Sequence, residues 1–113
     1  METVYKIYEN KIGIAFQWKK GAKLTQVIFR DIGFHISLKE IEMFLDKVKH
    51  SKLNCSCNDC KLGKDCRSLL LQTPFNQVSI AVSMNELDEI EDLFKGTQFQ
   101  LKLNNYLDSL CSN

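Results

Sequence analysis

Apolar residues in the first third of the chain recur with period two. Ile12, Ile14, Phe16 and Trp18 share one parity and Gly13, Ala15 and Gln17 the other, which is the pattern of a strand. Val4 to Tyr8 reads as a second short strand, and the polar "ENK" between the two predicts a hairpin. After the break "KKGAK", the run "LTQVIFRDIGFHIS" continues in β style with a change of frame. Val27 and Phe29 share one parity, Ile32, Phe34 and Ile36 the other, so a turn or bulge is expected near Arg30 to Gly33.

The period then lengthens. In "SLKEIEMFLDKVKH", Leu38, Ile41, Phe44, Leu45 and Val48 trace one face of a helix, with Lys39, Glu42, Asp46 and Lys49 opposite. Ser37 and Glu40 have the spacing of a capping box, in which each side chain bonds the other residue's backbone N–H. The second half follows the same plan. "RSLLLQTPFNQVSIAVS" predicts two strands around a Pro-containing turn at Thr73 to Asn76, with Val78, Ile80 and Val82 alternating. "SMNELDEIEDLF" then opens on the capping spacing Ser83 to Glu86 and lines up Leu87, Ile90, Leu93 and Phe94. Gly96 is placed to stop this helix, and alternation at Phe99, Leu101 and Leu103 predicts a C-terminal strand, followed by a short helical end through Tyr106, Leu107 and Leu110.

These elements predict an α+β fold: one domain over residues 1–113, with an antiparallel sheet of about five to seven strands and two main helices on one face. Residues 1–51 hold strands and the first helix, 52–67 a cysteine loop, and 68–113 a hairpin, the second helix and the C-terminal strand and short helix. "HISLKEIEMF" and "AVSMNELDEI" match in pattern, as a duplicated hairpin–helix unit would, or as two independent uses of good capping chemistry would. A chain of 113 residues with 44% apolar and 26% charged positions is long enough for one modest core. No run approaches the roughly 18 apolar residues that cross a bilayer, and the N-terminus has no apolar signal region, so the expected location is the cytoplasm, with no membrane partner.

That location bears on "CSCNDCKLGKDC". Cys55, Cys57, Cys60 and Cys66, four of the chain's five cysteines, fall within these twelve residues. In a reducing compartment such a cluster points to metal rather than disulfides. Structural zinc takes a closed tetrahedral shell of four thiolate or imidazole ligands, and Asn54, Ser56, Asn58, Asp59 and Gly63 are residues that turn a backbone tightly. The reading is therefore a four-cysteine zinc site on Cys55, Cys57, Cys60 and Cys66. Four cysteines close the shell and leave no place for water, which argues against a catalytic zinc. An iron–sulfur centre with electron-transfer or redox-sensing function remains the alternative, although the spacing follows neither common ferredoxin pattern. A redox pair at Cys57 and Cys60 is disfavoured, because that chemistry wants the motif between a strand and a helix N-terminus.

Charge sharpens the picture only locally. The net charge is +1, but Lys47 to Arg67 carries six basic residues (Lys47, Lys49, Lys52, Lys61, Lys64, Arg67) against Asp59 and Asp65. Such a segment offsets the roughly −2 charge of four thiolates around a divalent ion. It also offers a second alternative, a nucleic-acid-associated accessory factor that meets phosphates through those six residues. Met84 to Lys95 is acidic, through Glu86, Asp88, Glu89, Glu91 and Asp92, and reads as a solvated helix face. His50 is expected to act as a cation at a helix C-terminus rather than as a ligand, His35 as a partly exposed strand residue, and Cys111 as an isolated thiol. There is no phosphate-binding glycine loop and no nucleophile elbow, so the expected role is non-catalytic binding to another protein.

Two resemblances accompany this reading. "CNDCKLG" resembles the knuckle of zinc-ribbon proteins, with Gly63 three residues after Cys60 rather than directly after it; this implies metal coordination. The whole layout resembles an uncharacterised family of short Bacteroidota proteins with a four-cysteine loop between two strand–helix halves. That resemblance implies a bacterial source and no activity.

Overall fold

The structure is a computed structural model and describes residues 4–53, 69–75 and 77–111. Strands β1 (Tyr5–Glu9), β2 (Gly13–Gln17), β3 (Thr25–Phe29) and β4 (Ile32–Ile36) form an antiparallel meander in that order. Helix α1 (Leu38–Leu53) follows. Strands β5 (Leu69–Gln72) and β6 (Ser79–Val82) form a separate two-stranded sheet, and α2 (Met84–Cys111) completes the chain. The architecture is α+β as expected, but the strands make sheets of four and two rather than one larger sheet. Period-two patterning identifies a strand without saying whose edge it meets. Here the link between the sheets is made by a side chain instead of a ladder: the Arg30 guanidinium donates to the Ala81 carbonyl and lies 3.7 Å from the Glu86 carboxylate.

Local chemistry sets the turns. The Asn10 side-chain oxygen accepts from the backbone N–H of Ile12 and Gly13, folding the β1–β2 connection. Phe29 pairs with Ile32, so Arg30 and Asp31 alone join β3 to β4, and Arg30 takes the left-handed conformation at φ 56°. This turn is the expected frame change. Both capping boxes are formed. The Ser37 and Ser83 N–H groups donate to Glu40 and Glu86 at 2.9 and 3.0 Å, and the glutamate N–H groups donate back to the serine hydroxyls. Each cap contributes about 1 kcal/mol.

Parity sorts β2 into two faces, and the one with the smaller residues is buried. Ala15 and Gln17 lie under the helices, while Ile14 and Phe16 are half-buried on the other face and Trp18 is 52% exposed. Register explains the choice. Ala15 pairs with Val27 and Gly13 with Phe29, so the bulk on that face comes from β3 and β4, and the small residues of β2 leave space where α2 crosses. Buried Gln17 is satisfied by donating to the Ala22 carbonyl and the Thr25 hydroxyl at 2.9 and 3.2 Å. The core between the sheets and helices centres on five phenylalanines, Phe29, Phe34, Phe44, Phe75 and Phe94. Phe44 stacks on Phe94 with centroids 4.5 Å apart and meets Phe34 edge-on at 5.0 Å.

The C-terminal strand is not formed; α2 runs unbroken through Gly96 to Cys111. Gly96 serves close approach rather than helix termination, since a Cβ there would stand 2.5 Å from the Tyr8 ring. Beyond it the buried stripe continues at helical spacing through Thr97 and Leu101, and the Thr97 hydroxyl donates back to the Leu93 carbonyl at 2.6 Å.

Candidate functional site

The metal ligands expected from the sequence, Cys55, Cys57, Cys60 and Cys66, lie outside the described residues, as do Lys61, Lys64 and Arg67. The structure describes the frame on either side of them: the last turn of α1, ending at Leu53, and the start of β5 at Leu69, with α1 packed along β5. Among the described residues no group of three or more His, Cys, Asp and Glu side chains is placed to hold a metal ion.

The last turn of α1 is pinned by an ion cluster. The Lys52 ammonium donates to Asp88 at 2.7 Å and to Glu91 at 2.8 Å, both on α2, and Lys95 approaches the other Glu91 oxygen at 3.7 Å. Partial burial works to lower the Lys52 pKa, but the hydrogen bonds and charges of Asp88 and Glu91 outweigh it and raise it above the ordinary lysine value. Of the six basic residues read as phosphate contacts, Lys52 is thus engaged by two carboxylates, while Lys49 is exposed. The His50 Nδ1 sits 2.9 Å from the Asp46 carbonyl and 3.6 Å from its carboxylate, one turn back on the same helix. His35 is exposed and turned away from the core, as its parity predicts.

A second polar cluster ties the meander to α2 and was not legible in the sequence. The Tyr8 hydroxyl donates to Asp92 at 2.9 Å. The Asn10 amide donates to the same carboxylate at 2.9 Å and to the Glu89 carbonyl at 2.8 Å. A hairpin asparagine signals a turn, but its partners lie some eighty positions away. The acidic face of α2 is therefore partly structural: Glu86, Asp88, Glu91 and Asp92 each hold a hydrogen bond or ion pair to another element. The hydrogen bond to Asp92, with partial desolvation and the carboxylate charge adding to it, raises the Tyr8 pKa.

The two raised values have one consequence for pH. A folded-state pKa above the unfolded value means that the folded chain holds its proton more tightly. The contribution is complete below about pH 10 and is lost as pH climbs through the raised values. Stability to urea should therefore hold up to about pH 10 and fall beyond it, with a shallower fall in Lys52→Met. Alkaline absorbance titration should place the Tyr8 phenolate as a late step that Tyr8→Phe removes. Loss of an early step rather than a late one in Tyr8→Phe would contradict the Asp92 bond.

Two surfaces remain. A cleft of about 830 Å³ opens between β1, the β2–β3 turn and the far half of α2, lined by Tyr5, Gln17, Lys20, Lys23, Asn104 and Asp108. Past Leu101, every described side chain of α2 is exposed, Leu103, Tyr106, Leu107 and Leu110 among them. Comparison of the chain with protein-family models, with curated proteins and with solved structures found no match. No described helix is long and apolar enough to cross a membrane.

Proposed function

We propose that the chain is a small, non-catalytic protein-interaction module of the cytoplasm whose connecting loop holds one structural zinc ion. The observation that carries this reading is the placement of four thiols within twelve residues, in the connection that leaves α1 just after the turn pinned by Lys52. Cys55, Cys57, Cys60 and Cys66 would supply all four ligands as thiolates, and the ion would supply cross-linking of the loop rather than Lewis-acid catalysis. The large apolar side chains left exposed on α2 support the interaction half of the reading, because a contiguous apolar patch on a small domain marks a binding surface.

Elemental analysis of freshly purified protein, with its visible spectrum, tests the metal. About one zinc per chain is expected, as for any single closed shell of four thiolates, and Cys57→Ser with Cys60→Ser should abolish it while the far-ultraviolet circular dichroism of the remaining fold persists. Metal-free protein whose thermal stability is unchanged by a chelator would overturn the reading. Brown, iron-containing protein after anaerobic purification would replace it with the iron–sulfur one.

A further inference from the structure

The amphipathicity of α2 inverts along its length. As far as Leu101 the apolar stripe faces the domain, through Leu87, Ile90, Leu93, Phe94 and Leu101. The positions that continue that stripe are Asn104, Asn105 and Asp108, all exposed, whereas Phe99, Leu103, Tyr106 and Leu110 lie on the opposite side of the helix. Their spacing of four, three and four residues is that of the a and d positions of a helix-pairing seam. Phe99 and Tyr106 are 64% and 61% exposed, and Leu103 and Leu110 38% and 59%.

From this seam we infer that α2 pairs with α2 of a second copy of the chain, antiparallel, about a two-fold axis between residues 104 and 105. Three observations select that occupant and orientation. First, the seam is complementary to itself when reversed: Phe99 meets the second copy's Leu110 and Leu103 its Tyr106. An aromatic then faces a leucine in all four layers, the isologous match a two-fold axis demands. Second, the area suffices. Aromatic side chains carry roughly 150–250 Å² each, so at these exposures the four seam residues and Leu107 present about 500 Å² per chain. Two chains then bury about 1,000 Å², the lower bound for a specific interface. Third, the same helix face is already occupied upstream, where the Tyr8 ring lies on Gly96 and its hydroxyl on Asp92. A parallel pair would set these covered stretches against each other, while an antiparallel pair keeps the two domains at opposite ends of the joined helices.

This names a partner for the interaction reading, and its chemistry does not depend on the metal. Light scattering with size-exclusion chromatography, in reductant and both with and without chelator, should give twice the 13.1 kDa chain mass at high concentration and dissociation on dilution. Leu103→Asp and, separately, Tyr106→Asp should weaken pairing roughly a hundredfold, as loss of a central interface residue does. Both positions are exposed, so the circular dichroism should stay unchanged, and the thermal midpoint should match that of the parent diluted to where it is dissociated. A photoreactive benzoylphenylalanine at position 106 should cross-link to the peptide containing Leu103 of the second copy. Monomer at all concentrations, pairing that survives both aspartates, or cross-links from 106 to 106 would overturn the proposal, and monomeric protein that still carries zinc would do so while leaving the metal reading intact.

Discussion

Replacing Phe44 by alanine should lower the free energy of unfolding by about 3–5 kcal/mol. Phe44 is fully buried and contacts three other rings: Phe94 stacked at 4.5 Å, Phe34 edge-on at 5.0 Å and Phe75 at 6.5 Å. Truncation removes the transfer free energy of the ring and leaves a cavity walled by rings from three separate parts of the chain. Phe34 is on β4, Phe75 follows β5, Phe94 is on α2, and the vacated site is on α1 itself, so no single element can move in to fill it. Against a total stability of about 5–15 kcal/mol for a domain of this kind, the loss is a large fraction. Urea titration followed by circular dichroism measures it. A cost below about 1.5 kcal/mol, the range of a volume-conserving swap, would show that the aromatic cluster is not the keystone of the core.

Gly13→Ala should be the next most damaging change, at about 2–4 kcal/mol, although it adds only one carbon. Where backbone geometry allows, glycine to alanine stabilises by about 0.4–1 kcal/mol through the unfolded chain. At Gly13 the new carbon would stand 2.1 Å from the Ile28 carbonyl oxygen and 2.8 Å from the Phe29 Cβ. Those atoms belong to the neighbouring strand, and they move only if the β2–β3 pairing opens. Gly33 is the internal control, since there a Cβ meets only the Ile28 Cγ1 at 3.5 Å, an ordinary contact. Gly33→Ala should lie within about 0.5 kcal/mol of the parent, as surface substitutions usually do. Equal effects at the two glycines would contradict the register of the meander.

What the sequence revealed and what it hid divide along sequence distance. The capping boxes were legible because both partners sit three residues apart, and the β3–β4 turn because a two-residue connection forces a change of parity. The length of α2 was not legible. Phe99, Leu101 and Leu103 alternate because Leu101 ends the inward stripe while Phe99 and Leu103 begin the outward one. Two helical stripes half a turn apart look, over five residues, like a strand. Gly96 resembled a stop signal because the ring that requires a glycine comes from Tyr8, at the other end of the chain. The candidate metal ligands rest on local signals, four closely spaced cysteines among turn-forming and basic residues. The Lys52 anchor beside them was hidden, because Asp88 and Glu91 lie more than thirty residues away on another helix.

Arg30 bears on whether the chain can be divided. Its backbone makes the tightest turn of the meander, and its guanidinium reaches the Ala81 carbonyl and the same Glu86 that caps α2. Each hairpin–helix half carries its own serine and glutamate, yet the cap of the second is completed by a cation from the first. A fragment beginning at the second hairpin would keep the capping motif and lose the residue that neutralises it. The two halves, however alike in pattern, are thus joined at the start of the second helix by a side chain of the first.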